Sequence, residues 1–140
     1  MPESPQHAAP SQRGQCEAID LTAKIGLIDG YWQPRVVAEM NDYQFKVVKL
    51  HGDFVWHVHD DTDETFIVLD GELRIDFRAG TTGDGAITLR AGQMAVVPRG
   101  VEHKPFAVGE VKLLLIEPRG VVNTGDGAAG ERTVANDQWI

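Results

Sequence analysis

Residues 52–77 read GDFVWHVHDDTDETFIVLDGELRIDF. The runs 54–59, 65–69 and 72–77 are rich in β-branched and aromatic residues, the types that fit a pleated, half-buried surface. An acidic connection separates the first two, and Asp70-Gly71 separates the last two. Asp-Gly between β-type runs predicts a hairpin, because both central residues of a type I′ turn need positive φ. Working outward, further short strands are expected at 44–50, 87–89, 94–97 and 111–117. Gly52-Asp53, Gly80 to Gly85, Ala91-Gly92 and Arg99-Gly100 punctuate them. Strands at this spacing with no helix between them imply a sandwich or a barrel. The fold class is all-β.

Strand parity predicts which faces are covered. Glu72-Leu73-Arg74-Ile75-Asp76-Phe77 alternates, so one of its faces is wet. Residues 66–69 and 113–116 are apolar at both parities, so both of their faces need cover. One side would be the interior; the other calls for the N-terminal segment or a second subunit, and a homodimer is expected. Val55 is in phase with His57 and His59, and Phe66 and Val68 with Glu64. These side chains should line an apolar interior, with Trp56 and Val58 facing outward. In 94–97, Met94 and Val96 share one face and Ala95 and Val97 the other; parity alone leaves open which points inward.

The flanks differ in composition. Residues 1–17 (MPESPQHAAPSQRGQCE) carry three prolines and almost no large apolar side chains, which reads as a mobile tail. Residues 18–43 form an N-terminal arm, with a short helix at 20–28 stopped by Asp29-Gly30, an edge strand at 35–40 and a turn at Asn41-Asp42. Residues 44–118 form the barrel. Residues 119–140 are an irregular extension in which Trp139 and Ile140 can anchor the end.

The chain has 140 residues, 42% of them hydrophobic and 24% charged, which suits one globular domain. Its net charge of −8 disfavours nucleic acid and anionic membrane as partners. No stretch approaches the ~18 apolar residues of a membrane span. The first residues lack the apolar core of a signal peptide, so a cytoplasmic protein is expected. The lone Cys16 excludes an intramolecular disulfide and any zinc site built from several cysteines. Without an activating partner it reads as inert.

Four residues carry the chemistry: His57, His59, Glu64 and His103. Two histidines two apart in a strand project from one face. Barrel closure can bring Glu64 and His103 to the same interior spot. Three imidazoles and a carboxylate suit first-row transition metals. Other candidates read more plainly. His51 is a strand-end surface residue and His7 lies in the tail. Asp60, Asp61 and Asp63 form a solvated acidic loop, and Arg99 and Lys104 are loop charges unless they hold a substrate anion. Arg74 faces solvent, and Trp32 and Trp56 are core or interface anchors.

The spacing Gly52-x4-His57-x-His59-x4-Glu64-x6-Gly71 resembles the first motif of the cupin superfamily. Gly92-x5-Pro98-x-Gly100-x2-His103 resembles the second. Residues 61–73 and the closing stretch from Glu117 through Trp139 are similar to small single-domain cupins grouped with mannose-6-phosphate-isomerase-like proteins. The resemblance implies a double-stranded β-helix, a jelly-roll-like barrel with a metal at one mouth. It implies His57, His59, Glu64 and His103 as the ligands. Two departures stand out: the first glycine lies one residue nearer the first histidine than the common pattern, and Ala107 stands where the pattern has asparagine.

Four protein ligands leave about two open positions on octahedral Fe, Mn or Ni, the favoured ions. Zinc is admissible but prefers four ligands, which this set already supplies. The expected function is a metal-dependent enzyme acting on a small polar organic molecule, of isomerase, dioxygenase or decarboxylase type. The alternatives are a non-catalytic small-ligand-binding or sensor protein and a barrel whose site is vestigial. No DNA-binding helix pair is attached.

Overall fold

The computed structural model describes residues 16–78, 85–125 and 133–140. The expected turn at 80–85 falls outside them except for Gly85. So does the tail, apart from Cys16 and Glu17, which are exposed.

Among the described residues, one helix and seven strands follow in order: α1 (Leu21–Ile25), β1 (Arg35–Met40), β2 (Tyr43–Asp53), β3 (Glu64–Asp70), β4 (Glu72–Arg78), β5 (Gly85–Arg90), β6 (Met94–Val97) and β7 (Glu102–Pro118). All the strand pairings are antiparallel. Their order is β1-β2-β7-β3-β6, with β4 on β7 and β5 on β4. The all-β expectation holds.

β7 organises the sheet and is much longer than the 111–117 expected from sequence. Its second half lies between β2 and β3, with Val48 and Val68 both opposite Leu113. Its first half pairs with β4, from Leu73↔Ala107 to Arg78↔Glu102. The exposed residues 108–110 mark the hand-over.

This placement overturns the hairpin expected at Asp70-Gly71. β3 and β4 are not paired with each other; each pairs with a different half of β7. Gly71 has φ +92°, but Asp70 has no positive φ, so the turn is not type I′. Gly71 is required for a second reason: a Cβ there would lie 2.6 Å from the Glu110 carbonyl oxygen, where β7 changes partners.

The parity readings hold. Phe66, Val68, Leu73, Ile75, Val97, Leu113 and Leu115 are buried in the interior cluster, against which Val55 and Ala95 pack. Ala95 and Val97 therefore face inward, while Met94 and Val96 are exposed. The outer face of β2, β3 and β7 carries a second cluster: Ile25, Ile28, Val37 and Val47, with Leu69, Leu114 and Ile140 packed against it. The chain's own arm and Ile140 thus cover part of the strands that are apolar at both parities.

α1 is shorter than expected. Asp20 caps it by accepting from the Ala23 amide at 3.0 Å, and it gives way at Gly26. β1 and the Asn41-Asp42 turn lie where the sequence put them. The terminal anchor joins backbone hydrogen bonds to the packing of Ile140. Val36 N–H donates to Gln138 O at 2.7 Å, and Ile140 N–H donates to Val36 O at 3.1 Å.

Candidate metal centre

Residues 54–59 do not form the continuous strand expected; a single antiparallel bridge joins His57 to His103. His57 N–H donates to His103 O at 3.0 Å, and His103 N–H donates to His57 O at 2.9 Å. Two residues on, Gly100 N–H donates to His59 O at 2.9 Å. Gly100 has φ +80°, which turns the chain from the Pro98 corner into β7. The two motifs are zipped together through their backbones. Glu64 opens β3, whose inward parity carries its side chain under the same barrel mouth.

The four side chains meet. One donor atom from each of His57, His59, Glu64 and His103 lies within 4.8 Å of the others, and all four residues are buried. Glu64 Oε1 is 3.5 Å from His59 Nε2 and 3.3 Å from His103 Nε2. His57 Nδ1 lies 2.9 Å from Val55 O and His103 Nδ1 lies 3.0 Å from Val101 O. A carbonyl only accepts, so both Nδ1 atoms carry hydrogen and each Nε2 is turned into the cluster, where in the neutral ring it offers a lone pair to an electrophile and in protonated His103 it donates to Glu64. Phe54 and Phe66 set their rings edge-on against His57 and His103, at centroid distances of 5.2 and 6.1 Å.

The electrostatics match a cation site. Burial, and then the neighbouring His103, push His57 down to about 4, so it stays a neutral donor. Burial alone would raise Glu64. Hydrogen bonds from His103 and His59 outweigh it and hold the carboxyl well below its ordinary value. An anionic carboxylate among three imidazoles fits a divalent transition metal.

Sequence reasoning missed two parts of this region. Lys46 Nζ donates to Glu117 Oε1 at 2.8 Å, and both side chains are buried. Burial, and then the charge of Glu64, push Glu117 up to about 8 against the pull of Lys46. The available signal was parity: Lys46 is in phase with Val48 and Leu50, and Glu117 with Leu113 and Leu115. The other missed part is Gly125. A Cβ there would lie 2.6 Å from Val58 O and 3.2 Å from both His57 Cδ2 and His59 Cε1.

The remaining candidates lie outside the cluster. His51 is exposed and Arg99 pairs with Asp63 at the surface, whereas Lys104 is not a loop charge: it lies half-buried within β7 and pairs with Asp53. Arg74 pairs with Asp76. Trp32 is a core anchor, stacked on Phe54 and donating Nε1–H to His51 O at 2.9 Å. Trp56 is half-buried under the Arg78 guanidinium. His7 lies outside the described residues.

Two cavities adjoin the cluster. A small one of about 30 Å³ touches His57, Glu64 and Glu117 and is otherwise walled mainly by Trp32, Phe54, Phe66 and aliphatic residues. A cleft of about 530 Å³ opens beside His59, between residues 58–62 and 118–122, with Gly125 at its inner edge. No described helix is long and apolar enough to cross a membrane.

Comparison with known proteins agrees with this architecture. A cupin-2 domain containing protein from Shewanella frigidimarina NCIMB 400 is 57% identical, covering 72% of this chain and 94% of that one, with a TM-score of 0.68. Hydroquinone 1,2-dioxygenase PnpCD, solved in complex with Fe3+, is 25% identical over 84% of this chain and 36% of its own, with a TM-score of 0.65. The uncharacterized protein YdbB of Bacillus subtilis (strain 168) is 38% identical over 68 residues, which are 49% of this chain and 57% of that protein. The chain therefore spans little more than half of that curated relative. Residues 45–118 match the cupin domain family Cupin_2. This chain belongs to the cupin family.

Proposed function

We propose that the protein is a metal-dependent enzyme acting on a small polar organic molecule, with His57, His59, Glu64 and His103 as the metal ligands. One observation carries the reading: four buried donors converge within 4.8 Å, and backbone carbonyls aim two of the imidazoles into the cluster. A bound Fe, Mn or Ni ion would supply Lewis-acid or oxygen-activating chemistry, with zinc a less suited occupant. The chain's own part is to hold Glu64 ionised, His57 neutral and the surrounding walls dry. Among isomerase, dioxygenase and decarboxylase types, the dioxygenase type has added support. The likeness to hydroquinone 1,2-dioxygenase and the aromatic residues Trp32, Phe54 and Phe66 beside the cluster both favour it.

Elemental analysis of untagged, chelator-free protein beside the His57→Ala/His59→Ala variant tests this. Near-stoichiometric iron, manganese or nickel, lost in the variant, is expected. No metal even after reconstitution would overturn it. Tight ligand binding without turnover would turn the reading to a non-catalytic binding or sensor cupin.

The same proposal includes membership of the mannose-6-phosphate-isomerase-like group, on the stretches at 61–73 and 117–139. It also includes a cytoplasmic setting, where a lone exposed thiol such as Cys16 stays reduced. A homodimer completes it, supported by Met94 and Val96 exposed on β6 at the end of the strand order. Light scattering on the size-exclusion peak gives its mass; a clean monomer rejects the dimer.

A further inference from the structure

Gly125 lies outside both histidine motifs, yet it touches the imidazoles they supply. The space for its absent side chain is filled on three sides: Val58 O at 2.6 Å, His57 Cδ2 at 3.2 Å and His59 Cε1 at 3.2 Å. Each of those ring carbons is bonded to Nε2 of its imidazole. Any substituent at Gly125 must push a ring edge or the Val58 carbonyl, and the latter belongs to the chain between the two histidines. Contacts below 3.0 Å with backbone are relieved only by moving the backbone.

The segment carrying Gly125 is tied down along its length. Arg119 forks onto Glu39 at 2.8 and 3.0 Å, and its amide donates to Asp42 O at 2.8 Å. Asn123 Oδ1 accepts from the Val134 amide at 3.1 Å, and the buried Thr124 hydroxyl meets that of Thr133 at 3.1 Å. Gly125 N–H closes a turn onto Val122 O at 2.9 Å. Residues 119–125 are thus a strap clamped over the mouth of the barrel.

The two cavities add a direction. The smaller one, at about 30 Å³, has room for about one water. The cleft of about 530 Å³ is the size of a small-molecule site, and the strap is one of its walls. Of the two, only the cleft has room for a small organic molecule beside the cluster, and His59 and Gly125 both line it.

We propose that Gly125 is a positioning residue of the metal centre: its bare backbone, seated on the edges of His57 and His59, fixes the two rings and keeps the cleft open beside them. This rests on the proposed metal-binding role. Outer contacts that orient ligand histidines typically change metal affinity by about 10–100-fold.

The test uses the full chain, stripped of metal and titrated with Co(II), read by calorimetry and by the visible spectrum of the bound ion. Gly125→Ala is compared with Gly92→Ala. Gly92 has φ +85° and open space around its Cβ position, and lies away from the strap and the cleft, so its variant carries backbone strain without the ring contact. Gly125→Ala should lose at least about tenfold in Co(II) affinity and shift the spectrum, with Gly92→Ala unchanged on both counts. Thr124→Val, which unties the strap and leaves Gly125 in place, should show a smaller loss, and it decides the matter if Gly125→Ala does not fold. Unchanged affinity and spectrum in Gly125→Ala, or equal losses in the two glycine variants, would overturn the inference and leave the metal site standing. Wild-type protein that takes up no Co(II) would overturn both.

Discussion

His57 and His103, from two motifs far apart in the chain, exchange both of their backbone hydrogen bonds, at 3.0 and 2.9 Å. Paired in this way, their rings lie 4.3 Å apart, centroid to centroid, on one side of the bridge. The cluster is therefore built by backbone pairing, before any ion contributes. Metal-free protein should stay folded, with its far-UV circular dichroism unchanged after chelation. Metal at about a hundredfold excess over its dissociation constant should then add about 2.7 kcal/mol, seen as a raised Tm. Unfolding on chelation would show that the pairing depends on the ion.

Phe66 is buried with its ring edge-on to His103 at 6.1 Å. Phe66→Ala leaves a cavity under that imidazole and should cost about 3–5 kcal/mol in urea unfolding. Metal affinity should fall with it, since His103 loses the wall that holds it. A loss of stability with undiminished metal affinity would mean that the carbonyl of Val101 is enough to orient the ring.

Lys46 is the cation against the buried Glu117 carboxyl. Lys46→Met removes the N–H that Glu117 Oε1 accepts and leaves a buried polar group unsatisfied, which should cost about 1–3 kcal/mol. Lys46→Met/Glu117→Leu removes both ends of the pair and should recover much of the loss. Equal destabilisation of single and double variants, measured by the same urea titration, would remove the case for the pair.

The stability of the metal-free protein should depend on pH in two opposite senses. His57 titrates near 4 in the fold against an ordinary 6.5. Between these values the unfolded chain binds the extra proton, so stability falls as pH drops, by up to about 3 kcal/mol. Glu64, held low, adds to the loss below its ordinary 4.5. Glu117 keeps its proton to about 8 against an ordinary 4.5, so it contributes stability that is lost as pH rises toward 8. The Tm of metal-free protein should be highest between about 4.5 and 6.5, where the His57 and Glu117 slopes oppose each other. Glu117→Gln should lose the alkaline decline. A Tm that climbs steadily to pH 8 would contradict the assignment to Glu117.

What the sequence determined by itself was local and periodic. Alternation at 72–77, the two-faced runs at 66–69 and 113–116, the shared face of His57 and His59, and the glycine-marked corners all follow from a side-chain period of two and from positive φ. The motif spacing then selected the four residues that the structure brings together. Tertiary structure decided which strand lies beside which. The Asp70-Gly71 turn became a corner because β7 offered β3 and β4 two separate apolar partners, and no local rule weighs a turn against a strand forty residues away. Lys46 meets Glu117, and Gly125 meets His57 and His59, only because β2, β7 and the strap converge on one mouth of the barrel. Parity says which way a side chain points; register and closure decide what it meets, and those are set by the burial of the whole core.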